Sequence, residues 1–270
     1  DITGDTLFTR ITFTPGYNQY GGSSGSLVAT TDGQILMADF VESIGIGEKD
    51  GILVKFNTLG DTLWTSGYGV PGTFDVINAL DLVDSTGYVL FGTVLDGQYY
   101  DMRLIRTDTA GNELWSQTYG GSEDQQCTSG HRTLDRGFVM AGFNYFNNDN
   151  SDLYVVKVDS LGNQQWAQSY GSPWLDNVGF ITQLPDSGFI LAGAVRISET
   201  GVSHASFHRL DALGGVVWTN TYLDVPERTV FFADPVVLWD GSAAAGSRST
   251  SGTTSGSWRK CGLAGGRVWR

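Results

Sequence analysis

Short runs of alternating and β-branched residues, each closed by a glycine-bearing turn, recur along the whole chain. In one such run, Leu153-Tyr154-Val155-Val156-Lys157-Val158, a period of two sets successive side chains on opposite faces of an extended strand. The pattern around it predicts four strands, at about 127–134, 137–144, 152–159 and 164–170. Dipeptides such as Asp32-Gly33 and Leu161-Gly162 mark tight turns in which glycine accepts a positive φ. Sustained helical periodicity with caps is found nowhere along the chain.

The runs repeat in register. A glycine followed four residues later by an aromatic occurs at Gly60/Trp64, Gly111/Trp115, Gly162/Trp166, Gly214/Trp218 and Gly265/Trp269, with the tryptophans stepping by 51, 51, 52 and 51. A basic residue precedes each glycine by five, as Lys55, Arg106, Lys157, Arg209 and Lys260, and two places on stand Asn57, Asp108, Asp159 and Asp211, then Gly262. Turn glycines recur at Gly33, Gly87, Gly137, Gly188 and Gly241. A second glycine follows five later at Gly92, Gly142, Gly193 and Gly246, and tyrosines recur at Tyr68, Tyr119, Tyr170 and Tyr222. Four short strands in about 50 residues predict an all-β fold, a β-propeller of four-stranded antiparallel blades. Five blades are expected, or six to eight if the chain is a fragment. The predicted organisation is one propeller domain over 1–270, with 1–20 an outer or closing strand and units at about 21–71, 72–122, 123–173, 174–225 and 226–270.

The repeated residues carry structural expectations. The tryptophans open the outer strand and pack on the neighbouring blade, where burying an indole contributes roughly 2–3 kcal/mol. The basic residue and the Asp or Asn after it pair within the blade or hydrogen-bond the glycine turn. The mid-strand glycine marks close backbone approach near the propeller centre. Trp64, Trp115, Trp166, Trp218 and Trp269, with Gly60, Gly111, Gly162 and Gly214, are thus read as structural.

The ends fit less evenly. Segment 1–14 reads as an outer strand without its blade, because Gly4/Phe8 repeats the glycine–aromatic signature while the last unit already brings Gly265–Trp269. Either the closing strand is duplicated or the chain belongs to a longer propeller. The opening at Asp1, with neither an initiator Met nor a signal sequence, predicts a processed or trimmed product.

Composition narrows the function. Sixteen basic against 29 acidic residues give −13, which argues against a nucleic-acid partner, because phosphates need cations opposite them. Hydrophobic residues at 40% suffice for a core, and no apolar run is long enough for a membrane-spanning helix. Two cysteines in different repeats make no disulfide framework.

In a four-strand meander the second-to-third loops and the inter-blade connections share one face, and here those segments vary: 41–50, 95–101, 144–152, 196–205 and 247–256 differ in length and composition. Variation on one face of a repeat protein marks the binding side. About −10 of the net charge falls there. Asp75, Asp124, Asp176 and Glu227 hold comparable inter-blade positions, 11, 9, 10 and 9 residues after their tryptophans. Carboxylates suit calcium, but no calcium-loop pattern is present, so no cofactor is expected beyond a calcium option. Tyr99, Tyr100, Tyr145 and Trp174 lie in the same loops beside asparagines, the ingredients of a carbohydrate site. The candidate ligand set is Asp75, Tyr99, Tyr100, Asp124, Tyr145, Trp174, Asp176 and Glu227.

Catalytic signatures are missing. There is no H-E-x-x-H, no G-x-S-x-G and no phosphate-binding glycine loop. His131 is predicted on an innermost strand, and His204 and His208 lie about 13 Å apart on a strand, too far to share a metal. No catalytic or metal residue is assigned.

The pattern K/R-x-D-x-x-G-x-x-x-W resembles the tryptophan-docking motif of quinoprotein propellers, with one residue fewer between Asp and Gly. Whole units, D-R-G-F-V-M-A-G (135–142), D-L-Y-V-V-K-V-D-S-L-G-N-Q-Q-W (152–166) and Y-G-G-S-E-D (119–124), are similar to the tandem repeats of secreted bacterial propeller proteins, often cargo of the type IX secretion system. The resemblance implies a secreted or cell-surface scaffold without a defined catalytic residue. The expected function is therefore non-enzymatic: an extracellular protein or glycan bound through the acidic, aromatic-bearing face. The alternatives are a structural module of a larger surface assembly and a carbohydrate-active hydrolase or lyase using loop carboxylates.

Overall fold

The computed structural model describes residues 17–19, 26–43, 49–69, 73–147, 150–198, 201, 203–222, 230–232, 236–237, 243–249 and 256–261. All regular structure among them is β, in five antiparallel sheets. The first holds β1 (Tyr17–Gln19), β2 (Ser26–Ala29), β3 (Ile35–Ser43), β4 (Asp50–Phe56) and β5 (Thr62–Tyr68), with β1 and β2 each paired to β3. The second is β6 (Asp75–Leu82), β7 (Tyr88–Asp96), β8 (Tyr99–Thr107) and β9 (Glu113–Tyr119). The third is β10 (Asp124–Arg132), β11 (Phe138–Asn147), β12 (Asn150–Val158) and β13 (Gln164–Tyr170). The fourth is β14 (Asn177–Gln183), β15 (Phe189–Arg196), β16 (Ser203–Leu210) and β17 (Val216–Tyr222). The fifth is β18 (Val230–Phe232), β19 (Val236–Val237), β20 (Ala243–Ser249) and β21 (Gly256–Cys261), in which β20 pairs with the other three. Sheets two to four run in sequence order, the meander of a propeller blade. The all-β propeller expected from the repeat is the fold observed.

The core lies between sheets. Val89, Phe91, Met102 and Leu104 of the second sheet pack with Cys127, Phe138, Met140 and Val156 of the third. Phe138 meets Phe91 and Trp115 edge-on, each at 6.4 Å, the geometry aromatic quadrupoles favour.

The first strands of sheets two to four sit side by side, β10 lying against β6 and against β14. Each carries an irregularity at the same place, between Ile77 and Ala79, Cys127 and Ser129, and Asn177 and Phe180. A bulge turns a backbone group out of its own ladder, and the neighbouring sheet takes it up. Asn78 Nδ2 donates to Cys127 O at 2.6 Å, Cys127 N to Thr93 Oγ1 at 3.0 Å, and Thr128 Oγ1 to Gly179 O. At Gly92 and Gly142 a Cβ would overlap Val76 O and Gln126 O, the close approach predicted for the mid-strand glycines.

The outer turns tie each sheet to the next. Gly111, Gly162 and Gly214 have φ of 82°, 85° and 83°, and a Cβ at each would stand 2.9–3.0 Å from Cζ3 of Trp64, Trp115 and Trp166. Trp64, Trp115 and Trp166 therefore pack on the neighbouring blade. The basic residue and the acid two places on do not pair with each other. Lys55, Lys157 and Arg209 reach back to Asp32, Asp135 and Asp186 of the preceding hairpin at 2.8, 2.8 and 2.6 Å. Asp108, Asp159 and Asp211 instead accept the N–H groups two and four residues on. The lysine bond and Thr30 hold the Asp32 carboxyl down at about 2. Segment 1–14 and Trp269 lie outside the described residues.

Candidate functional site

The β7–β8 connection, the end of β11 and the inter-blade segments 120–123 and 171–176 gather on one face. They enclose a cleft of about 600 Å³. Tyr99, Tyr145 and Phe146 supply its aromatic walls, Glu123 and Asp124 its carboxylates, and Gln126 and Asn177 its amides. Pairing sets this arrangement: Asp124 stands opposite Tyr145 in the β10–β11 ladder, so carboxylate and ring flank one another. Tyr145 also meets Phe143 edge-on at 5.1 Å.

Both carboxylates are held. Tyr100 N donates to Asp124 Oδ1 at 2.9 Å. Asn144 Nδ2 donates to Glu123 Oε2 at 3.3 Å, and Asn144 is in turn fixed by Gln125 Nε2 at 2.9 Å. Gln125 and Asn144 are buried, so the orienting groups belong to the rigid part of the sheet.

The other predicted residues do different work. Asp75 and Asp176 stand one ladder position further in than Asp124, in register with the buried Gln125, and neither lines the cleft. Asp75 is 2% exposed and paired with Arg103 at 2.7 Å. Asp176 is fully buried and accepts the N–H groups of Ser172 and Arg196 and the Ser172 hydroxyl. Tyr100 packs edge-on against Phe74 at 5.3 Å, and Trp174 faces a second, smaller cavity. The cleft thus brings together Tyr99, Asp124 and Tyr145 of the predicted set, and Glu227 lies outside the described residues.

Asp152, at the start of β12, adds a titrating group beside this face. A Cβ on Gly171 would meet the carboxylates of both Asp152 and Asp176. Burial first, and the Asp176 charge second, push the Asp152 carboxyl up to about 6. Burial also raises Asp176, against the hydrogen bonds that favour its charged form. Asp50, Asp101 and Asp152 recur at a step of 51 before giving way to Ser203, the signal that could have singled out Asp152. Glu123 carried no such signal beyond its place in a variable loop.

No protein-family model matches this chain, and no curated protein matches it. Solved structures do. An α-L-arabinanase of Penicillium chrysogenum complexed with arabinobiose is similar at TM-score 0.55 and 10% identity, covering 95% of this chain and 81% of that one. An endo-arabinase of Bacteroides thetaiotaomicron is similar at 0.51 and 12% identity, covering 87% and 92%. The GH93 α-L-arabinofuranosidase of Fusarium graminearum, also with arabinobiose, gives 0.51 and 9%, covering 92% and 82%. The fold is shared with glycoside hydrolases.

That finding corrects the expected function. A non-enzymatic scaffold followed from the absence of any catalytic motif, but a pair of carboxylates in a variable loop carries no sequence signature of its own. The alternative reading, a carbohydrate-active enzyme using loop carboxylates, is the better supported. Likeness at these identities is one of fold, and the residues of the cleft are this chain's own. Among the described residues no group of three or more His, Cys, Asp or Glu side chains is placed to hold a metal ion, and no helix is long and apolar enough to cross a membrane.

Proposed function

We propose that the protein is a carbohydrate-active hydrolase that cleaves a glycosidic bond in the cleft between the second and third sheets, acting on a polymer outside the cell. The observation that carries this reading is the convergence of two oriented carboxylates and three aromatic rings on one cleft, at the loop face of a fold shared with arabinanases. Glycoside hydrolysis needs one carboxyl group to protonate the leaving oxygen and a second to act as base or nucleophile. Glu123 takes the first role: its Oε2 is oriented by Asn144, leaving Oε1 to turn toward the glycosidic oxygen. Asp124, anchored by Tyr100 N–H, takes the second. Tyr99, Tyr145 and Phe146 stack on the C–H faces of the sugars, and Gln126 and Asn177 hydrogen-bond their hydroxyls. Arabinan is the first substrate to test. Release of reducing ends from a panel of arabinan, xylan and galactan supports the reading, and inactivity on every polymer removes it.

A further inference from the structure

The interface between the third and fourth sheets departs from the one before it. Between the second and third sheets, Tyr154, Val156 and Ala167 pack with Tyr119 and Phe138 in one apolar cluster. One repeat later the same ladder positions are Ser206, His208 and Thr219, and Thr221 stands where Ser169 does. Replacing a tyrosine, a valine and an alanine with shorter or polar side chains removes apolar packing from a blade interface. Such a breach of the repeat is expected at functional positions.

The breach leaves a cavity of about 310 Å³, at the small end of the range for ligand sites, about 300–1,000 Å³. Its polar wall is a continuous row. Thr219 Oγ1 lies 3.0 Å from His208 Nδ1, His208 Nε2 lies 3.2 Å from Ser206 Oγ, and Ser206 Oγ lies 3.2 Å from Thr221 Oγ1. Burial holds the His208 ring down at about 4, so the imidazole is neutral near pH 7 and gives one donor and one acceptor to the row. Hydroxyls accept more than one bond, so Ser206, Thr219 and Thr221 keep capacity for a guest. The facing wall carries Trp174 and Arg196. Arg196 Nε is buried without a hydrogen-bond partner in the protein, an arrangement that costs free energy unless something accepts from it. The guanidinium charge stands near Asp176, which it stabilises, so the cavity has no large excess of either sign.

We infer that this cavity is a second carbohydrate-binding site, which takes a neutral sugar unit with its C–H face on Trp174 and its hydroxyls on Ser206, Thr221 and Arg196 Nε. Segment 171–177 separates it from the cleft: Gly171, Ser172, Pro173 and Trp174 line the cavity, and Leu175 and Asn177 line the cleft. One glycan crossing that segment meets both. Binding here requires no turnover, so the site stands or falls apart from the hydrolase reading.

The test is isothermal titration of the full chain with arabinobiose, xylobiose and cellobiose. At least one is expected to bind. Ser206→Tyr, which installs the side chain found one repeat earlier, and Arg196→Ala are each expected to weaken that binding by at least about tenfold, and Leu134→Ala, exposed and away from both cavities, to leave it in place. Should Ser206→Tyr fail to fold, as judged by its thermal melt, Arg196→Ala and Trp174→Ala carry the same comparison. Failure of all three sugars to bind, or wild-type affinity in the cavity variants, overturns the inference.

Discussion

The hydroxyl of Tyr119, at the end of one outer strand, donates to the carbonyl of Gly162 in the next blade at 2.7 Å. Tyr68 and Tyr170 make the same bond to Gly111 and Gly214 at 2.6 and 2.7 Å. Burial raises all three hydroxyls well above the ordinary tyrosine range, so they are donors near pH 7. This bond, with the tryptophan seated on the same glycine, couples each blade to its neighbour.

Tyr119→Phe is therefore expected to cost about 1–2 kcal/mol, because it strands the buried Gly162 carbonyl. Gly162→Ala adds strain at a φ of 85° and crowds Trp115. In urea denaturation the two changes together should cost less than their sum, since both loosen one contact. Strict additivity would show that the tyrosine and the tryptophan seat act separately.

Gly142→Ala tests the crowded centre. Its Cβ would overlap Gln126 O, a backbone atom that cannot rotate away, and a cost above about 2 kcal/mol is expected. Gly121→Ala, which meets no neighbour, is the control and should melt within a degree or two of wild type.

Asp152 gives a pH signature. Its folded value of about 6 exceeds the unfolded carboxylate value near 3.9, so the native state holds this proton more tightly. The stability it contributes is full below pH 4 and is lost as pH rises through 6. Asp152→Asn should gain on wild type across that window in paired thermal melts and hold a constant advantage above pH 7. An advantage that does not change between pH 4 and 7 contradicts the shift.

His208 has the opposite sign. Burial lowers it from 6.5 to about 4, so its contribution is present above pH 6.5 and lost as pH falls through 4. The linked loss is roughly 3 kcal/mol at most. His208→Val, the residue type of Val156 one repeat earlier, should flatten the acid limb of the melting profile. An unchanged acid limb would place the titration elsewhere.

The blade interfaces were legible in the sequence because Tyr68, Tyr119 and Tyr170 do one job at one spacing, as do Trp64, Trp115 and Trp166. The functional face was legible only as a face. Asp75, Asp124 and Asp176 look alike along the chain, but Asp124 stands one ladder position before the other two, and strand alternation turns it to the opposite face. Arg103 captures Asp75, whereas the same column holds Tyr154 in the third sheet and Ser206 in the fourth. That column varies in every blade, so it leaves no periodic mark. The second cavity depends on it through Ser206, and folding was needed to bring it against the loops.

Glu123 and Asp124 are proposed to perform glycoside hydrolysis in the cleft. The most direct measurement is the rate of reducing-end release from arabinan by the wild type, Glu123→Gln and Asp124→Asn at equal folded concentration. Turnover by the wild type and a fall of at least about 100-fold in each variant are expected. Turnover by both variants at the wild-type rate would contradict the proposal.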